Sequence, residues 1–330
     1  MQVDTTDELS LEEQVEAALP KGDFYEIPEE WRLNLNVQRK ESPSSITAFL
    51  LCPLKWYLDR YAGIPGESVV SFSMVLGTFV HRVLEVFYSE PKHKRSEEGL
   101  KEVFNHAWDV LKEGNLEDGI IDKSLMEEFD TLTNEANNPT GFRNKFRSSA
   151  LDSAMSIIDF DGDVSGVDII GNETWIRRGV RGVNINGKID RRVRGKGGAE
   201  IIDDYKTGRP PSGKVDVLNP TFVSVGLYAW MRSAETSGGL PVEVQSVRLL
   251  YLGALKRYSI NITPDVLAKT DLLVNRIMTM MEDAARTGKL QITPAEISSK
   301  PPCNWCVAKN ICPAFQDDGS FAPMREALGI

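Results

Sequence analysis

Two short stretches, GKIDR at 187–191 and EIIDDYKTG at 200–208, decide how the centre of this chain folds. Both are typical of strands, and the Gly-rich link between them permits an antiparallel pair. Such a pair brings Asp190 and Asp204 close together on neighbouring strands. Lys206 comes two residues after Asp204, so both side chains point to the same face of their strand. The sequence therefore predicts two carboxylates and one ammonium group at a common site.

A pair of neighbouring carboxylates needs a cation between them. Without one, the charges repel and each carboxylate raises the pKa of the other. Carboxylate oxygens are hard ligands that favour Mg²⁺ or Mn²⁺, so we expect a divalent metal between Asp190 and Asp204. Lys206 is then placed beside the metal, where its ammonium group can hold an attacking water or a phosphate oxygen. A surface hairpin with an ordinary ion pair has the same spacing, and spacing alone does not exclude it.

The segments around this centre indicate an α/β fold. Helical patterns precede it, and from residue 167 strands alternate with helices, which predicts a mixed sheet flanked by helices. Gly-rich breaks are expected at 179, 182, 187 and 195–198. The predicted helices are 9–19, two between 42 and 61, 78–88, several within 97–160 with a break near 137–141, 219–233 and 264–287; the predicted strands are 167–177, 180–194, 199–205 and two within 242–262.

Charge is distributed unevenly along the chain. The 330 residues carry a formal net charge of −10, of which residues 1–35 contribute −8, whereas residues 177–214 have a local balance of +7. A charge run is often a solvated face, but a basic run can also face the phosphates of a nucleic acid. The chain has no stretch of 18 apolar residues, and its N-terminus lacks a secretory signal pattern. We therefore expect no membrane segment and a cytoplasmic location.

The pattern Gly187-x-x-Asp190 followed by Asp204-Tyr205-Lys206-Thr-Gly208 resembles the RecB-type nuclease domain of the PD-(D/E)xK superfamily. The resemblance implies a restriction-endonuclease-like core in which Asp190, Asp204 and Lys206 are catalytic. It also implies that the Tyr205 carbonyl is a further metal ligand. Asp203 lies one residue off the pattern and is expected to face the other way.

Two further elements extend this resemblance. The stretch Gly77-Thr-Phe-Val-His81 is similar to an upstream element of the family whose histidine binds the catalytic metal, which implies that His81 is a metal ligand. Glu85 follows one turn later and either supports His81 or is an ordinary solvated glutamate. The family often has a Gln four residues before a Tyr; here Tyr228 is in place and Ser224 stands where the Gln is usual. Tyr228 is expected to contact a phosphate or a base.

The four cysteines indicate one metal site. Cys303, Cys306 and Cys312 are clustered near the C-terminus, and Cys52 is the only other cysteine. Four thiolates suit zinc and also suit a 4Fe–4S cluster, and spacing alone barely separates the two. Iron–sulfur members of the RecB-like family, including AddB and the CRISPR-adaptation nucleases, have one Cys before the nuclease core and three after it. This resemblance implies a 4Fe–4S cluster that ties the N-terminal helical part to the C-terminal tail.

The resemblance also implies a domain organisation. We expect an acidic N-terminal arm at 1–41 and a single nuclease domain at 42–330. That domain divides into a helical part at 42–160, a catalytic core at 161–290 and a cysteine-rich tail at 291–330.

The expected activity is that of a metal-dependent DNA exonuclease in recombination, repair or phage DNA processing. Its substrate is a single strand or a frayed duplex end, and its partner is a separate helicase, recombinase or integration protein in a prokaryotic or phage-infected cell. The predicted DNA-binding residues are Arg191, Arg192, Arg209 and Tyr228. The alternative from another class is a non-catalytic DNA-binding or assembly subunit on the same scaffold.

Overall fold

Helices make up most of the chain before residue 162, and most strands come after it, as predicted. The computed structural model describes residues 9–29, 40–58, 60, 70–114, 119–292, 303, 306, 308–316, 319 and 321–328. Within them the helices are Leu11–Ala18, Pro43–Leu51, Pro53–Tyr57, Phe72–Ser89, Glu97–Glu113, Lys123–Glu135, Pro139–Asp161, Val223–Arg232, Pro264–Thr287 and Ala322–Leu328. None of these described helices is both long and apolar enough to cross a membrane.

A six-stranded mixed sheet lies at the centre of the fold, in the order β2-β4-β5-β8-β9 with β3 also paired to β4. β3, β4 and β5 are successively antiparallel, whereas β5 and β8 run parallel. The expected mixed sheet flanked by helices is therefore confirmed. The strands are β1 (Phe24–Glu26), β2 (Lys40–Glu41), β3 (Ile169–Val180), β4 (Val183–Arg194), β5 (Glu200–Lys206), β6 (Thr236–Ser237), β7 (Leu240–Pro241), β8 (Val244–Tyr251), β9 (Lys256–Asn261) and β10 (Lys289–Gln291).

The hairpin formed by β3 and β4 has a tighter turn than the sequence predicts. Gly179 and Gly187 are expected as breaks, but both lie inside strands. Arg181 and Gly182 alone form the turn, with φ of 46° and 76°. When both residues of a two-residue turn have left-handed backbone conformations, the turn fits the right-handed twist of the two strands it joins. The turn sets the register of the whole hairpin and so determines which residues face Asp190.

Capping residues set the ends of the long helices. The helix that carries His81 begins at Phe72 rather than at Thr78, because the Ser71 hydroxyl accepts a hydrogen bond from the Met74 N–H. The helix Pro264–Thr287 has the predicted bounds.

Two hydrophobic clusters lie on either side of the site. One joins the sheet to the helices Pro43–Leu51, Val223–Arg232 and Pro264–Thr287. The other fills the helical part between residues 72 and 161 and reaches the sheet through Tyr205, Leu250 and Leu252. β5 contributes Ile202 to the first cluster and Tyr205 to the second. The strand that carries Asp204 and Lys206 is therefore held by both layers.

The described part of the predicted acidic arm is packed onto the domain. Val15 of the first helix is fully buried in the first hydrophobic cluster. β1 pairs antiparallel with β10, and the Tyr25 ring meets the Phe321 ring edge-on at 6.5 Å. Residues 9–29 thus contact both the first hydrophobic cluster and the C-terminal tail.

Candidate active site

A cavity of about 770 Å³ lies where the helix Phe72–Ser89 meets the ends of β4 and β5. Gly77 and His81 line it from the helix, and Asp190 and Lys206 line it from the strands. Three of the stretches singled out in the sequence therefore contribute to one cavity, and the first of them lies more than a hundred residues before the other two.

His81 connects the helical layer to the strands. Its Nδ1 lies 3.6 Å from Asp190 Oδ1, and its Nε2 lies 3.1 Å from the Tyr205 carbonyl oxygen. Burial by itself lowers the pKa of His81, but the neighbouring Asp190 carboxylate raises it overall. An imidazole nitrogen, a carboxylate and a backbone carbonyl thus converge within one small volume.

Asp190 is held in its charged form. Burial by itself raises the pKa of Asp190, but the charge and hydrogen bond of His81 lower it overall. The Tyr205 N–H adds to this effect, since it donates a hydrogen bond of 2.7 Å to Asp190 Oδ2. Residue 205 therefore binds Asp190 through its N–H and His81 through its carbonyl.

Asp204 and Lys206 form an ion pair on the same face of β5, as the spacing predicts. Lys206 Nζ lies 2.5 Å from Asp204 Oδ2. Burial and the nearby Asp190 raise the pKa of Asp204, while Lys206 opposes the shift. Burial lowers the pKa of Lys206, but the Asp204 carboxylate raises it overall, so the ammonium form is maintained. Asp203 faces the other way, as expected, and binds Arg191 and Arg248.

Glu173 is a further acid in the cavity that the sequence interpretation missed. Ligand atoms of His81, Glu173 and Asp190 all lie within 4.8 Å of one another. Glu173 has φ of 47°, a left-handed conformation that is uncommon in a strand, and it forms an ion pair of 2.5 Å with Lys188. Burial raises the pKa of Glu173, and Asp190 raises it further. These oxygen and imidazole donors fit a hard divalent cation.

Two glycines of the motifs permit close approach between elements. A Cβ built at Gly77 would lie 3.1 Å from Thr207 Oγ1, directly after Lys206. A Cβ at Gly187 would lie 2.7 Å from the Tyr228 ring. Tyr228 is half-buried, and burial raises the pKa of its phenol, with Asp204, Asp190 and Glu173 raising it further. The ring is thus packed beside the acidic cluster.

Arg191, one of the residues predicted to bind DNA, lies inside the fold. Its side chain is fully buried, and its guanidinium donates to Asp203 at 2.8 Å and to Asp161 at 2.5 and 3.0 Å. It also lies over the Tyr88 ring, 4.6 Å from the ring centre. Arg191 therefore ties β4 to β5 and to the end of the helix Pro139–Asp161, where a DNA strand has no access.

Most bases of the window at 177–214 form ion pairs, five of them with acids outside the window. Arg192, also predicted to bind DNA, is bound to Glu200 at 3.2 Å and has only 12% of its side chain exposed. Among the described residues, Arg177 and Arg209 are exposed and form no ion pair. The other ion pairs are Arg178–Asp271, Arg181–Glu282, Lys188–Glu173, Arg194–Asp168 and Lys206–Asp204.

Glu85 is expected either to support His81 or to be an ordinary solvated glutamate. It is partly exposed but also paired with another side chain. It lines the cavity and forms an ion pair with Arg82, whose guanidinium also donates to the Ile120 carbonyl at 2.7 Å. Glu85 therefore anchors a neighbouring loop rather than hydrogen-bonding His81.

The four cysteines surround a second, much smaller cavity of about 20 Å³. Cys52 caps the helix Pro53–Tyr57, and Cys303, Cys306 and Cys312 come from the tail. Burial, together with the other three cysteines, raises the pKa of the Cys312 thiol to about 12. Thiols that raise one another's pKa need a cation to become thiolates together, and this donor set fits a four-thiolate metal group.

The fold and the cavity define a class of protein: an α/β protein with a candidate metal centre of acids, a histidine and a lysine at the edge of a mixed sheet. The model of the PD-(D/E)XK nuclease superfamily matches residues 40–313, and the chain belongs to that superfamily. The central sheet and its flanking helices are consistent with the restriction-endonuclease-like fold.

Among solved structures, the crystal structure of SSO0001 is similar to this chain, at 18% identity and a TM-score of 0.29. The match covers 54% of this chain and 81% of that chain. No curated protein matches this chain.

Proposed function

We propose that this protein is a metal-dependent DNA exonuclease of the RecB-like iron–sulfur branch of its superfamily. The observation that carries the proposal is the convergence of His81, Glu173, Asp190, Tyr205 and Lys206 on one cavity, with Asp204 paired to Lys206 behind its wall. Membership of a nuclease superfamily supports hydrolysis of a phosphodiester bond, and the donor set supports Mg²⁺ or Mn²⁺ as the metal.

His81, Asp190 and Glu173, whose ligand atoms lie together, would hold the metal with the Tyr205 carbonyl, and Asp204 would be a further ligand as the resemblance implies. When bound, the metal lowers the pKa of a water molecule and stabilises charge on the scissile phosphate. Lys206 supplies an ammonium group that orients the attacking water or a phosphate oxygen. Asp204 fixes that ammonium group by its ion pair.

Digestion of end-labelled DNA by the wild-type protein tests the proposal. Linear single strands are expected to lose nucleotides from an end in Mg²⁺ or Mn²⁺, and EDTA is expected to abolish the reaction. Circular single strands of the same sequence should remain intact, because an exonuclease needs an end. Cleavage of the circles would show an endonuclease, and binding without cleavage in either metal would favour a non-catalytic DNA-binding or assembly subunit.

We also propose that Cys52, Cys303, Cys306 and Cys312 hold a 4Fe–4S cluster that joins the helical part to the tail. The support is their common cavity and their separation in sequence. The cluster is expected to be structural, since hydrolysis transfers no electrons.

The exposed Arg209 and the half-buried Tyr228 remain the candidates for DNA contact among the residues first predicted. A role in recombination, repair or phage DNA processing, beside a helicase, recombinase or integration partner, belongs to the same proposal.

Anaerobically purified protein is expected to be brown, to absorb broadly in the visible range and to contain about four irons per chain. Cys312→Ala should lose the iron and the absorbance. Lys309→Met, at a residue that lines the same cavity without a sulfur ligand, should retain both. A colourless protein with one zinc per chain would show that the four thiolates form a zinc site.

A further inference from the structure

Trp175 is a large aromatic side chain on the open face of the β3–β4 hairpin, and 72% of it is exposed. It lies directly opposite Lys188 in the register of the hairpin. Lys188 lines the active-site cavity and binds Glu173, which is two residues before Trp175 on the same strand. Residues paired across antiparallel strands have Cβ atoms about 5 Å apart. The indole therefore lies next to the rim of the cavity.

The same face continues outward in polar and basic side chains. Arg177 is two residues beyond Trp175 on β3, and it is exposed and forms no ion pair with the described residues. Asn186 lies opposite Arg177, and Asn184 follows towards the turn. With increasing distance from Glu173, this face presents the indole of Trp175, then the guanidinium of Arg177, then the amides of the two asparagines. We call Trp175, Arg177, Asn186 and Lys188 the hairpin track.

The opposite face of the hairpin is packed, which explains why the track is rigid. Ile176, Ile185 and Ile189 are buried in the first hydrophobic cluster. Arg178 donates to the Trp230 carbonyl at 2.7 Å and lies over the Trp230 ring. The buried face thus anchors the hairpin to the core, and Trp175 lies on the opposite, exposed face.

We propose that the hairpin track binds a single strand of DNA, with an unpaired base stacked on Trp175 and a backbone phosphate on Arg177. The inference rests on the proposed nuclease function and names the form of its substrate. An exposed aromatic side chain followed by a cation is the combination that binds unpaired bases and their backbone without sequence readout. Because Trp175 lies next to the cavity, a base stacked on it would be close to Glu173 and Asp190. The hairpin track would therefore guide a strand towards these acids.

Trp175→Ala is expected to raise the KM for a short linear single strand by about 5- to 150-fold, since stacking contributes to binding at each stacked base. Trp175→Phe retains an aromatic surface and should lose much less. Leu240→Ala removes another exposed apolar side chain, 70% exposed, from a different hairpin and should leave the KM unchanged. Because Trp175 is exposed, the thermal midpoint of both Trp175 variants should stay near that of the wild type.

A strand of abasic nucleotides tests the stacking itself. Its dissociation constant, measured by fluorescence anisotropy in Ca²⁺, should be the same for the wild-type protein and Trp175→Ala, because the base that would stack is missing. An equal loss of affinity for normal and abasic strands, or an unchanged KM in Trp175→Ala, would overturn the proposal. A wild-type protein that neither binds nor cleaves single strands would instead refute the nuclease function on which the inference rests.

Discussion

Lys206→Met is expected to slow DNA hydrolysis by about a thousandfold or more, the equivalent of about 4 kcal/mol of transition-state stabilisation. The substitution keeps the aliphatic stem and removes the one ammonium group that Asp204 holds in place within the cavity. Asp204→Asn is expected to have a comparable effect, because it removes one of the charged oxygens that would bind the metal. Initial rates on an end-labelled single strand in Mg²⁺ measure both variants.

The matched controls are Lys101→Met and Asp168→Asn, which alter exposed ion pairs outside the cavity. Both should cleave at the wild-type rate. Asp204→Asn leaves the buried Lys206 ammonium group without its carboxylate, so some loss of stability is expected. Urea unfolding of both variants beside the wild type therefore separates lost activity from unfolding. Rates within tenfold of wild type for both Lys206→Met and Asp204→Asn would exclude this site as the catalytic centre.

Arg191→Met is expected to lower the free energy of unfolding by about 3–5 kcal/mol, because it leaves the buried Asp161 carboxylate without its arginine. Arg191 is fully buried between Asp161 and Asp203, and Arg248 supplies the second cation of this network. Urea unfolding of the metal-free protein, followed by circular dichroism, measures the change.

Arg194→Met on the same strand is the control, since Arg194 and its partner Asp168 are about half exposed. An exposed pair of this kind contributes about 1 kcal/mol or less. If Arg191→Met instead kept its stability and only weakened DNA binding, the original assignment of Arg191 as a DNA contact would be right and the structural role wrong.

The local chemistry of the site could be predicted from sequence because it depends on short spacings. Asp204 and Lys206 are two residues apart on one strand and so share a face, while Asp203 faces the other way. The bounds of the helix Pro264–Thr287 follow equally from Thr263 at its start and Gly288 at its end.

The basic window could not be interpreted from sequence because its partners are distant. Arg178 and Arg181 are bound by Asp271 and Glu282, about a hundred residues later. Local charge counts cannot include such partners, so a run of +7 in the sequence is largely paired in the fold. An exposed cation is identified only when the tertiary contacts are known.

The place of Glu173 in the site could have been predicted from the position of the hairpin turn. The tight turn at Arg181-Gly182 sets the hairpin register, and Asn172 and Thr174 pair with Arg191 and Ile189. Glu173 is therefore opposite Asp190. Interpreting Gly182 as the only turn, rather than one of several breaks, would have brought this acid into the predicted site.

Gly77 sets how closely the helix Phe72–Ser89 approaches the end of β5. It stands one helical turn before His81, on the same side of the helix, and a Cβ there would lie 3.1 Å from Thr207 Oγ1. Any larger residue at 77 would therefore require the Thr207 side chain to give way by a few tenths of an ångström. The absence of a side chain at this one position thus lets the helix that carries His81 lie against the strand that carries Lys206.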